Sequence, residues 1–362
     1  MQPNSELRPF EQMQRMLIGH FSAQCLHAAA ILGLADLIED GKTSPKELAL
    51  TTKCDSDSIQ RLMRTLASLG VFTQGPDGHF ALTPLGATLR SNAPDSVRDM
   101  AIFIASQPMW SAWGSLSESL KTGAASFPKR NGAAIYQYLA THQDLGAVFN
   151  RFMSAQSKLH NAAIVDAYDF SGIETLVDVG GGHGATVSAV LIRYPAMRGV
   201  VFDLPEVIAK AELNPAELKG RCQFAGGNML ESVPSGGDAY LIKRVLMDSA
   251  DQEVVAVLEN CRAAMKPGGR LLVVDPMLPG DNVPHPNWLM DINALVVHGG
   301  VCRTEAQFSD LLASAGFALS RVIATRSPNF IIEAHPQSDT DLGSRLQEIG
   351  DRNPIEDAFG TL

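Results

Sequence analysis

The residues best placed to do chemistry form one short run, Asp178-Val179-Gly180-Gly181-Gly182-His183-Gly184, joined by Asp203 about 20 residues further on. Glycines at 180, 182 and 184 allow a sharp backbone turn and let a ligand approach where a Cβ would stand. Asp203 ends the apolar stretch Gly199–Phe202, and a carboxylate there suits the two hydroxyls of a ribose. Asp178 comes two residues before the first glycine. A carboxylate at that point repels a pyrophosphate but can anchor the ammonium of an amino acid, so the pattern favours S-adenosylmethionine (SAM) over a nicotinamide dinucleotide.

The elements that position these residues follow from periodicity. Thr175–Val179 is apolar and β-branched and predicts a strand; Val187–Tyr194 predicts the following helix. From about residue 169 to 335 apolar strands alternate with helices, the pattern of a mainly parallel sheet covered on both faces. Upstream, residues 11–40 read as helix with no clear polar face, which fits burial on several sides. In residues 43–90, Thr43-Ser44-Pro45 opens a short helix. Ser56 is positioned to cap a second, with Ile59, Leu62, Met63, Leu66 and Leu69 on its apolar face, and a hairpin turns at Gly75–Gly78. This is a winged-helix pattern. Residues 97–168 read as helical and carry many aromatic side chains. The expected fold class is therefore α/β, with a Rossmann-like SAM-binding domain at 169–335, a mostly helical winged-helix dimerisation domain at 1–168 and a polar tail at 336–362.

Bulk properties exclude several classes. The 362 residues suit two domains, and 45% hydrophobic with 19% charged residues is ordinary for a globular protein. A formal charge of −10 with no long Lys/Arg run argues against nucleic acid as a partner. Five widely spaced cysteines without a CxxC fit reduced thiols rather than a disulfide framework. The N-terminus lacks the pattern of a signal peptide, and His20, Gln24, His27 and Asp36 interrupt the apolar stretch Met16–Leu37, so a cytoplasmic protein without a membrane span is expected. No close ligand pair calls for a metal.

The chain resembles the SAM-dependent O-methyltransferases of the caffeic-acid/hydroxyindole type, including bacterial secondary-metabolism members. The resemblance covers roughly residues 10–335 and rests on Leu176–Gly184, Phe202-Asp203-Leu204-Pro205, Gly227-Asn228-Met229, Met265–Arg270, and Gly299-Gly300 with Arg303-Thr304. It implies a homodimer interlocked through the N-terminal domains and a winged helix that binds no DNA. It also implies that Gly180, Gly182 and Gly184 cradle the methionine part of SAM, that Asp203 and Leu204 meet the ribose, that Asn228 and Met229 meet the adenine, and that Lys243 lies near the cofactor.

The resemblance also exposes a departure. Where the family has its general-base His and the following Trp, this sequence has Met247 and Ser249, and the Glu that orients the His is replaced by Cys302. A thioether takes no proton. The candidates left for catalysis are His298, Asp248 and Asp275, with Met247 at the base position. The small-molecule pocket is expected to draw on His20, Trp110, Phe149, Met153, His160, Met290, Asn293 and Arg303, with Trp288 and Asp291 nearby. Three functions follow in order: O-, N- or C-methylation of a small aromatic or keto-acid-like metabolite without the His; a SAM-binding hydroxylase, decarboxylase or pericyclase that keeps its methyl group; and a winged-helix regulator.

Overall fold

In a computed structural model the chain is described at residues 8–211, 218, 220–280 and 283–337. It divides into two compact units, residues 1–156 and 157–362. The division falls inside one long helix, before the sequence-based boundary at 168/169. The reason is packing: Ile164, in the last turn of that helix, and Tyr168, just after it, belong to the core of the second unit. Most of the tail expected at 336–362 lies outside the described residues.

The first unit begins with α1 (Pro9–Leu17), α2 (Gly19–Ile31) and α3 (Leu34–Glu39), three helices where the sequence reads as one stretch. Next come α4 (Pro45–Thr52), α5 (Ser56–Ser68), the hairpin β1 (Phe72–Gln74) and β2 (Phe80–Leu82), and α6 (Pro84–Ala87). The cap of α5 is Asp55, whose carboxylate accepts from the Ser58 N–H at 2.8 Å; Ser56 is instead the first helical residue. Ile59, Met63 and Leu66 are buried on its inner face, but Leu69 is exposed. These residues join Leu34, Leu48, Phe72 and Phe80 in one core. Five short helices and a long one follow: α7 (Arg98–Ile104), α8 (Gln107–Trp113), α9 (Leu116–Thr122), α10 (Ser126–Asn131), α11 (Ile135–Thr141) and α12 (Gln143–Ala167). The burial expected for the first helix is absent within one chain. α1 buries no side chain, and Phe10, Met13, Met16 and Leu17 all stand more than half exposed.

The second unit runs β3 (Thr175–Val179), α13 (Ala185–Arg193), β4 (Arg198–Asp203), α14 (Pro205–Ile208), β5 (Cys222–Gly226), β6 (Gly237–Lys243), α15 (Asp251–Ala264), β7 (Met265–Leu278), α16 (Asn287–Val297), β8 (Arg303–Thr304), α17 (Glu305–Ser314), β9 (Phe317–Ala324) and β10 (Asn329–Pro336). The sheet has the order β5-β4-β3-β6-β7-β10-β9, with β8 paired to β7. Strands β3 to β7 are parallel, whereas β10 is antiparallel to both its neighbours. Period-two alternation sorts side chains to two cores, Val177, Val179, Tyr240 and Ile242 to one face and Leu176, Ala239 and Leu241 to the other. Connections leave β3 toward β4 and β6 toward β7, so the carboxyl ends of β3 and β6 flank the switch point where open α/β sheets bind ligands.

Candidate active site

Two loops meet at that switch point. After β3, Gly180, Gly182 and Gly184 all take positive φ, at 70°, 58° and 80°. Their reasons differ. A Cβ on Gly180 would strike Val245 Cγ2 at 2.6 Å, and one on Gly184 would strike Val201 Cγ2 at 2.9 Å, so both serve packing within the protein. A Cβ on Gly182 would meet no atom of the described residues within 4 Å, so of the three this residue opens the loop to a ligand. The Gly182 N–H donates to Asp203 Oδ2 at 2.8 Å, and the Leu204 N–H donates to Oδ1 at 2.7 Å. Asp203 is thereby held in one orientation at the end of β4, with lone pairs remaining on both oxygens.

Asp178 is buried, and its Oδ2 has no hydrogen-bond partner among the described residues. Burial pushes its carboxyl up to about 7, with Lys243 pulling down and Asp203 pushing up. Burial likewise lowers the Lys243 ammonium, against the raising pull of Asp178. Downstream of β5, Asn228 is used by its own turn: Oδ1 accepts from the Leu230 N–H at 3.1 Å, and Nδ2 donates to Glu231 at 3.2 Å. One lone pair and one N–H remain for an adenine edge. Met229 beside it packs on the sheet core.

The second loop follows β6 and carries Met247 on a single 3₁₀ turn, Leu246–Asp248. Met247 is buried with Leu278, Ala294 and Cys302, and Met290 packs against them. Met247 and Cys302, singled out separately in the sequence, are therefore neighbours in one apolar cluster. The Cys302 thiol is pushed up to about 12, chiefly by burial, which makes it inert as a base or nucleophile. Its N–H donates to Asp291 at 2.8 Å. Asp248 is exposed overall, but protein crowded around its carboxyl raises it, against His298 and Arg244. Asp275 is fully buried, and neither of its oxygens has a hydrogen-bond partner among the described residues. Burial pushes it up to about 7 despite Arg244. His160 is buried on α12; burial and then Arg244 and Lys243 lower its imidazole to about 4, so it is neutral and weakly basic. His298 ends α16, half-buried.

One expected pocket residue has a different task. Arg303 is buried and spends its donors on the protein: Nε and Nη2 on Asp251, Nη1 on the Leu246 carbonyl, Nη2 also on the Ser249 carbonyl. It braces the Met247 loop and has no fork left for a substrate. Met290 and Asn293 lie half-buried on α16. In the first unit, His20 is exposed, donates from Nδ1 to the Leu17 carbonyl at 2.8 Å and lies 6.0 Å from the Trp110 ring. Phe149 packs between Phe103 and Tyr136, and Met153 lies half-buried one turn further along α12. Among the described residues no group of three or more His, Cys, Asp or Glu is arranged to hold a metal.

The sequence gives Arg244 no role, yet it adopts a left-handed backbone, φ 55°, at the exit of β6. Its influence reaches His160, Asp248 and Asp275. Arginine carries no conformational signature, so nothing in the sequence signals this turn.

Comparison with known proteins places the chain in a family. Residues 113–318 match the O-methyltransferase domain family, and residues 14–92 match the O-methyltransferase dimerisation domain. The chain is 40% identical to a phenazine O-methyltransferase of Lysobacter antibioticus over 89% of this chain and 95% of that one. It is 34% identical to a phenazine-1-carboxylate N-methyltransferase of Pseudomonas aeruginosa, covering 88% and 95%. A solved structure of CalO1, a methyltransferase in calicheamicin biosynthesis in its SAH-bound form, superposes with a TM-score of 0.82 at 32% identity, covering 91% of this chain and 100% of that one.

Proposed function

This chain belongs to the O-methyltransferase family, and from that premise we propose that it methylates a small natural-product-like metabolite at an atom that needs no proton acceptor at position 247. Its cofactor is SAM. When bound, SAM supplies a methyl group activated by a positive sulfur. The observed site fits it: an orphaned buried oxygen on Asp178, open space over Gly182, and an oriented carboxylate at Asp203. Asp178 and the glycine loop would hold the amino-acid end, Asp203 with Leu204 the ribose, and Met229 with the free edge of Asn228 the adenine. Lys243 would balance the charge of Asp178.

The observation that carries the chemistry is the apolar cluster of Met247 and Cys302 with Leu278, Ala294 and Met290. The protein can align an acceptor there, and alignment supplies much of the rate in a methyl transfer. It cannot take a proton from the acceptor at that point. Suitable acceptors are a neutral amine nitrogen or an oxygen already ionised in solution. The relatives include both O- and N-methyltransferases, which supports this breadth.

The test is to incubate the protein with SAM and paired aromatic substrates, amines and phenols of graded acidity, and to follow product mass and SAM loss together. Amines and acidic phenols are expected to react, with one S-adenosylhomocysteine (SAH) released per product. A weakly acidic phenol methylated as fast as an acidic one at pH 7 overturns the reading. Product formed without SAM loss assigns the protein instead to the non-methylating class.

The same reading includes a homodimer. Five large apolar side chains, Phe10, Met13, Met16, Leu17 and Phe21, are each more than half exposed within twelve residues of α1 and α2, and the last three fall in the matched dimerisation domain. Light scattering at micromolar concentration is expected to give the mass of two chains. Among the described residues no helix is long and apolar enough to cross a membrane.

A further inference from the structure

We propose that Arg244 anchors a carboxylate carried by the substrate, an inference that rests on the methyl-transfer reading and adds a substrate class to it. Three observations converge. The first is conformational. Arg244 holds a left-handed backbone at the end of a strand, between Lys243 and Val245, where no helix cap requires it. A glycine would enter that region without strain, so a strained arginine there points to a task for its side chain.

The second is an unused binding edge. The guanidinium makes one side-chain hydrogen bond, from Nη1 to Asn329 Oδ1 at 3.2 Å. Among the described residues Nε and Nη2 have no hydrogen-bond partner. Those two donors form the edge of the fork that takes a carboxylate with two parallel bonds. Arg303, the arginine that the sequence offers for this task, has the same edge filled by Asp251.

The third is the state of the neighbours. The titratable and charged groups around Arg244 are His160 on α12, Lys243 on β6, Asp248 after β6, Asp275 on β7 and Cys302 before β8. Among the described residues no side-chain hydrogen bond joins Arg244 to Asp248 or Asp275; the Arg244 main chain bears on the fully buried Asp275 carboxyl and lowers it, but the guanidinium does not bond to it. Burial holds Asp275 at about 7, so near neutral pH part of it carries a proton and it compensates the cation only in part. His160 is neutral and Cys302 is a thiol. The protonated Asp275 is moreover a donor in search of an acceptor, and a substrate carboxylate is an acceptor for both groups.

The experiment uses SAH-saturated full-length protein and calorimetric titration with acid and amide pairs: 1-naphthoate with 1-naphthamide, and phenazine-1-carboxylate with phenazine-1-carboxamide. At least one acid is expected to bind about tenfold tighter than its amide. Arg244→Gln is expected to bring acid and amide to parity with SAH affinity unchanged, and Arg244→Lys to keep part of the preference. The inference is overturned if amides bind as well as acids, if neither series binds, or if the preference survives Arg244→Gln. Should Arg244→Gln lose SAH binding altogether, Arg244→Lys decides: a weakened acid preference supports the assignment and an unchanged one overturns it. A wild-type protein that fails to bind SAH counts against the methyl-transfer reading, not against Arg244.

Discussion

The guanidinium of Arg303 donates through Nη1 to the main-chain carbonyl of Leu246 at 2.7 Å. That contact ties the residue after Cys302 to the residue before Met247, so the loop that carries Met247 is held from β8. The Gly300 segment closes the same joint: the Val301 N–H donates to the Met247 carbonyl at 3.0 Å.

Replacing Arg303 with Met therefore leaves the carbonyls of Leu246 and Ser249 without their donor. The expected loss is about 2–4 kcal/mol of stability, since buried groups would stand unpaired. Most of it comes from the carbonyls, because Asp251 is largely exposed and can return to water. Urea unfolding reads the loss directly. Arg303→Lys is expected to recover only part of it, because one ammonium cannot serve three acceptors spread over the loop.

Asp203→Ala tests the cofactor half of the site. The carboxylate is oriented by the N–H groups of Gly182 and Leu204 before any ligand arrives, so little ordering remains to be done on binding. Its removal is expected to weaken SAH binding by about tenfold to a hundredfold, or roughly 1.4–2.8 kcal/mol. Isothermal calorimetry measures this. A change below about threefold would show that the ribose is held elsewhere.

What the sequence discloses follows from which residues carry a conformational signature. Glycines at 180, 182 and 184 and β-branched runs such as Leu176–Val179 reveal their backbone, and the structure places both at the carboxyl edge of the sheet. A buried brace and a ligand contact are made by the same residue type, which is why Arg303 reads as a pocket residue until its partners are seen. Asn228 is legible as a site residue but not as the cap of its own turn. The division between the units falls within α12, before the expected boundary at 168/169; the sequence of this single helix does not register that its last turn joins the core of the second unit.

Stability should also record the orphaned carboxylate of Asp275. Its folded value, about 7, lies above the ordinary 3.8, so the native state holds a proton that the unfolded chain has released. Stability is full below about pH 4, falls as pH rises toward 7, and stays lower beyond. Asp275→Asn removes that dependence. The variant is expected to gain more over wild type at pH 8 than at pH 4, by an amount on the order of a kcal/mol or more. Glu333 behaves oppositely. Tyr168 donates to it at 2.8 Å, Arg270 and Arg321 flank it, and its carboxyl is lowered despite burial. Its stabilisation is present above about pH 4.5 and is lost as pH falls through its folded value, so Glu333→Gln should flatten the acid limb of the same melting series.

The last prediction concerns proton removal at position 247. Met247→His alone places an imidazole among Leu278, Ala294, Cys302 and Met290, where Asp291 beside the cluster is already engaged by the Cys302 N–H. A buried, unsatisfied polar ring costs stability, about 1–3 kcal/mol, and is disfavoured as a cation. Adding Cys302→Glu supplies a carboxylate within the same cluster, where the native thiol is fully buried. The pair is expected to do what neither substitution does alone: methylate a weakly acidic phenol at pH 7, with a rate that rises through one ionisation near the ordinary histidine range. Wild type should instead follow the ionisation of the phenol itself. The measurement is the pH dependence of kcat/KM for two phenols of different acidity in all four proteins. If the double variant still tracks the acidity of the phenol, the 247/302 pair does not govern proton removal, and the choice between N and O acceptors lies elsewhere in the site.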